Sequence, residues 1–139
     1  MQIVKLFIST AIVFFVVDVV MLVTYMTPLF RDTIGHLMAA PIRSAPAAVF
    51  YLGYLAAILY LASWPAIRAR RAADAILPGA VLGLAAYGTY EFTSYAILAD
   101  WSVQMLISDT IWGGVLTAFS AWAGVAITLR IGAPNAPQS

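Results

Sequence analysis

The sequence has no cysteine, a single histidine, and few charges, which make up 9% of its 139 residues. Without cysteine there is no disulfide, thiolate nucleophile, iron-sulfur cluster or common zinc site, and His36 alone makes no metal site. The 7 basic and 6 acidic side chains nearly cancel, leaving neither a basic field for nucleic acid nor an acidic tail for a charged soluble partner. Nucleophile-base pairings, glycine-rich phosphate cradles and zinc-binding helix motifs are also missing, so no cofactor and no conventional reaction on a soluble substrate is expected.

Apolar residues fill the space these absences leave. At 63% hydrophobic, the chain is far more apolar than a soluble domain, in which about a quarter of residues are charged. A bilayer core of about 30 Å needs roughly 20 helical residues, and 6–28, 46–65, 75–98 and 103–129 meet that need. Prolines agree with these bounds: Pro28 closes the first span, Pro46 suits the start of the second and Pro65 its end, and Pro78 fits the first turn of the third. The first span follows Lys5 as a signal peptide would, but it runs too long and lacks a small-residue cleavage pattern, so a retained helix is expected. No strand alternation or hairpin signal suggests a barrel.

The first loop, Leu29 to Ala45, mixes Arg31, Asp32, His36 and Arg43 with Ile34, Leu37 and Met38, which predicts a short helix at the interface. Basic residues collect on the cytoplasmic side of membrane proteins. Lys5, Arg68, Arg70, Arg71 and Arg130 outnumber Arg31 and Arg43, which places both termini in the cytoplasm and loops one and three outside.

Three carboxyls, Asp18, Glu91 and Asp109, fall inside the spans, although a charge at the bilayer centre costs several kcal/mol. Helical rise puts Glu91 about 10 Å, Asp109 about 9 Å and Asp18 about 15 Å below the outer ends of their helices. Each has polar or aromatic company at helical spacing. Tyr87, Ser94 and Tyr95 share a face with Glu91, Ser108, Trp112 and Gly113 neighbour Asp109, and Tyr25 lies two turns from Asp18. No lysine or arginine lies in the membrane interior, and the nearest cations, Arg31 and Arg43, reach inward only with extended side chains.

Two readings of the acids stand side by side. Protonated carboxyls hydrogen-bonding across helices would simply hold the bundle together. Alternatively, the acids line a pocket open to the outer face, which binds a cation, relays protons or engages a polar head group. Gly79, Gly83, Ala85 and Ala86, with Gly113, Gly114 and Gly124, read as close-packing surfaces. Tyr51, Tyr54, Trp64 and Trp101 fit interfacial belts or pocket walls, with the belt favoured for the two tryptophans. His36 reads as a solvated loop residue, or less readily as a pH sensor.

Tyr90-Glu91-Phe92-Thr93-Ser94, then Leu98-Ala99-Asp100-Trp101, then Asp109-Thr110-Ile111-Trp112-Gly113, resemble the small bacterial membrane proteins catalogued as domain of unknown function 2177. That family's Tyr-Asp-Leu-Thr-Asn, Asp-x-x-Trp-Gly and Ala-Ala-x-Phe-Tyr patterns are met here, the last by Ala47-Ala48-Val49-Phe50-Tyr51, and its helix-one Asp by Asp18. Glu91 replaces the family's Asp, Ser94 its Asn, and Met21 a Trp; the second change loses an amide. The resemblance covers nearly the whole chain and implies four helices and a shared acidic site, but no reaction.

The expected protein is an all-α, integral membrane four-helix bundle with cytoplasmic termini: one domain over residues 1–130 and a disordered tail over 131–139. It is expected in the bacterial inner membrane, where its partners are the lipid bilayer and either a larger membrane complex or further copies of itself. The leading functional expectation is a non-enzymatic accessory or binding subunit, followed by a proton- or cation-handling carrier and then a lipid-modifying enzyme. Asp18, Glu91, Asp109, Tyr87, Ser94, Tyr95 and Trp112 form the expected site, with Arg31 and Arg43 as charge partners and no catalytic or metal-binding residue.

Overall fold

The computed structural model describes residues 1–132. Four helices long and apolar enough to cross a membrane account for almost all of them: α1 (Gln2–Leu37), α2 (Ser44–Arg68), α3 (Ala72–Ile97) and α4 (Val103–Ile131). There is no strand among the described residues. Helix α4 runs through Ile131, so the expected tail lies, apart from Ile131 and Gly132, outside the described residues.

Two prolines do not end their helices. Pro28 lies just past a widened turn, Leu22–Met26, in which the Thr27 amide donates five residues back to the Leu22 carbonyl. Pro65 repeats the arrangement after Leu59–Ser63, with the Trp64 amide donating to Leu59. A proline ring crowds the turn before it and supplies no N–H, and a widened turn absorbs both defects without breaking the rod. The short interfacial helix expected in the first loop therefore continues the first span, as Thr27–Ile34 and then Gly35–Leu37. Helix α2 instead ends at a left-handed Arg70 (φ 55°), whose amide bonds to the Ile67 carbonyl while that of Arg71 returns to Ala66.

Half of the apolar window of α4 is buried, against 28% or less in the other three helices, which makes α4 the central element. Glycine permits its close packing with α3. A Cβ at Gly83 would collide with the Gly113 carbonyl, one at Gly79 would stand 2.9 Å from the Ala118 Cα, and one at Gly114 would stand 2.9 Å from Leu84. On another face, Gly124 admits Thr10 of α1. The expected small residues Gly79 and Gly83 of α3 and Gly113 and Gly114 of α4 therefore share one seam, whereas Gly124 faces α1 and Ala85 is exposed. Such close backbone approach is how helices associate where lipid offers no hydrophobic drive between them.

The main core joins Leu6 and Phe14 to Tyr54, Leu55, Ile58, Leu116 and Val125. A smaller cluster of Ile34, Trp101 and Met105, with Leu29 and Phe30 against it, lies near the loop between α3 and α4. Helix α2 joins the main core through Tyr54, Leu55 and Ile58. It meets α3 and α4 at Tyr54, whose hydroxyl lies 2.7 Å from Thr117 Oγ1 and whose ring lies 6.2 Å from that of Tyr87. Toward its N-terminal end, Val49, Phe50 and Leu52 are exposed.

Candidate functional site: an acid-floored cavity within the bundle

The three intramembrane carboxyls are buried: Asp18 is 4% exposed, Glu91 0% and Asp109 8%. Asp18 accepts the Trp112 indole N–H at 3.0 Å on Oδ1 and the Tyr51 hydroxyl at 3.5 Å on Oδ2. Glu91 accepts the Trp101 indole N–H at 2.7 Å on Oε2, while its buried Oε1 has no donor. Glu91 and Asp109 are neighbours across the α3–α4 seam. Two carboxyls can hydrogen-bond to each other only when one carries a proton. No N–H or hydroxyl of another described side chain donates to Asp109.

Asp18 and Asp109 form the polar floor of a cavity of about 460 Å³. Its apolar walls come from Leu22, Met26 and Phe30 of α1, Met38 of the first loop, Phe50 of α2 and Ala86 of α3, and the phenols of Tyr51, Tyr87 and Tyr90 also line it. Tyr51 and Tyr87 lie within electrostatic reach of both floor carboxyls. At the rim, Phe50 and Tyr90 are 53% and 49% exposed, so the cavity opens between α2 and α3 rather than being sealed in the core. Small-ligand pockets have this size range and this balance of apolar wall to a few placed polar groups.

Of the expected site residues, the cavity gathers Asp18, Asp109 and Tyr87, with Trp112 bonded to Asp18 behind it. Glu91 sits behind the floor, and Ser94 is buried without lining the cavity. Tyr95 is 46% exposed and turns away. Tyr25 bonds to Ser108 (3.0 Å) and receives the Gln104 amide (3.1 Å), outside the acid cluster. Arg31 and Arg43 are exposed, and neither comes within 4 Å of a carboxylate among the described residues.

Three features depart from the sequence expectation. Trp101 is no belt residue: it is 6% exposed, its ring is edge-on to Phe30 and Tyr90, and its N–H is spent on Glu91. Trp64 packs half-buried against the main core. His36 Nε2 lies 2.8 Å from Asp100 Oδ2, an exposed clasp between the end of α1 and the α3–α4 loop. Tyr51, which the sequence left between belt and wall, is a wall residue with a bond to Asp18. No three His, Asp or Glu side chains among the described residues stand close enough to hold a metal ion.

Four apolar helices around a buried acidic cluster define a multi-span helical membrane protein. The chain belongs to the family described as predicted membrane protein, DUF2177, whose model matches residues 3–126. No curated protein and no solved structure matches it.

Proposed function

We propose that this chain is a non-enzymatic binding component of the bacterial inner membrane, which takes an amphiphilic molecule from the bilayer into the acid-floored cavity. The observation that carries this reading is the cavity's lining, which runs from two buried carboxyls to Phe50 of α2 and Tyr90 of α3, each about half exposed. A molecule entering sideways keeps its chain among Leu22, Met26 and Phe50 while its head reaches Asp109. As an accessory subunit, the protein would present or retain that molecule for a larger complex.

Native mass spectrometry of protein released from its own membranes tests this. A retained small amphiphile is expected, and it should be lost in Ala86→Leu, which fills the cavity from a wall position. Retention unchanged by Ala86→Leu would refute binding in the cavity. Proton handling is the second reading. It is favoured by one observation, the donorless Glu91 Oε1 beside Asp109, a pair that can pass a proton between its members.

A further inference from the structure

The cavity's charge inventory is one-sided. Two carboxyls line it and no lysine, arginine or histidine does. Asp18 already accepts one bond on each oxygen, from Trp112 and from Tyr51. Asp109 faces the cavity from 92% burial, without a single N–H or hydroxyl donor among the described residues. Glu91 is its neighbour, and a proton shared by that pair still leaves Asp109 acceptor positions toward the cavity, where a further donor lowers the cost of burying it. Arg31 and Arg43 supply none, being exposed and unpaired with it.

The rings of Phe30, Phe50, Tyr51, Tyr87 and Tyr90 line the same cavity. Aromatic walls attract cations through their faces, and the attraction strengthens where water is excluded. Apart from the rings, the two carboxyls and Thr27, the lining is aliphatic or thioether. The lining thus combines two carboxyls, several aromatic rings and hydrocarbon, with Phe50 and Tyr90 at the exposed rim.

Resting on the binding role proposed above, we infer that the ligand is a lipophilic amine in its ammonium form, with its head donating to Asp109 and its chain running out between α2 and α3. An ammonium supplies up to three N–H donors together with the missing positive charge. An alcohol supplies one donor and no charge, and a fatty acid brings a further carboxyl group to two already present.

Dodecylamine, dodecanol and dodecanoate share one chain and differ only in the head. Each is added to the purified full-length protein at the same mole fraction of detergent, and occupancy is read by native mass spectrometry, with Ala86→Leu as the filled-cavity control. Charge-assisted hydrogen bonds predict that dodecylamine binds at least about tenfold more tightly than dodecanol, with dodecanoate weakest, and that Ala86→Leu removes the binding. Asp109→Asn should bring dodecylamine down to the level of dodecanol. Should that variant fail to fold, the wild-type ranking alone decides. Equal binding of all three, or a preference for dodecanoate, with Ala86→Leu still abolishing it, overturns the amine and leaves the binding role standing. Binding of no probe, or binding insensitive to Ala86→Leu, overturns both.

Discussion

Trp101 shows how one side chain stabilises a buried charge-bearing group. Its N–H is the sole donor to Glu91 among the described residues, and its ring fills the space between Phe30 and Tyr90. Trp101→Phe keeps most of the ring and deletes the donor. With both Glu91 oxygens then without a donor, a loss of about 1–3 kcal/mol is expected, read as a lower unfolding midpoint in detergent. Glu91→Gln should fold normally, because its amide still accepts from Trp101 and can donate toward Asp109, whereas Glu91→Ala should lose more than either. An unchanged midpoint in Trp101→Phe would show that the bond carries no stability. Sequence position suggested a belt residue because the span ends near Trp101, and hydropathy reports depth but not the direction in which a loop folds back. Tyr95 failed for a related reason. From Glu91, Tyr95 lies about 40° to one side of the helix, while Tyr87 and Ser94 lie about 40° and 60° to the other, the side that packs inward. Spacing alone gives both flanks of an acid and cannot choose between them.

At the scale of the helices, the α3–α4 seam depends on backbone meeting backbone. Gly83 faces the Gly113 carbonyl, which cannot swing aside as a side chain would. Gly83→Leu is expected to cost about 3 kcal/mol or more and to lower the yield of folded protein, since overpacking at a rigid contact sits at the upper end of its range. Gly53 is the internal control. A Cβ there meets nothing within 4 Å, so Gly53→Ala should instead raise stability by about 0.5–1 kcal/mol through helix propensity. Equal effects of the two substitutions in the unfolding midpoint would contradict the seam. The pairing was legible in the sequence, because a short connection leaves α3 and α4 no choice but to lie antiparallel. The course of α1 and α2 through Pro28 and Pro65 was not. A proline forbids one hydrogen bond, and whether the chain breaks or widens by one residue depends on packing further along.

For the whole molecule, hydropathy carried the architecture, since lipid rewards apolar length regardless of side-chain detail. The cavity was beyond its reach, because it arises where α2 parts from α3, a consequence of which faces pack and not of how apolar they are. Orientation is a separate proposal resting on the arginines, with Arg68, Arg70 and Arg71 inside and Arg31 and Arg43 outside. The native chain has no cysteine, so single cysteines report directly. Arg43→Cys should react with an impermeant thiol reagent from outside and Arg70→Cys only after the membrane is opened; the reverse pattern would invert the topology.

The central claim, that the space above Asp18 and Asp109 is a ligand site, is tested most directly by an experimental density map of the protein in its own lipids. The account predicts an elongated feature entering between Phe50 and Tyr90 and ending within hydrogen-bonding distance of Asp109. A map in which α2 closes against α3 and leaves no space above the two carboxyls would contradict it.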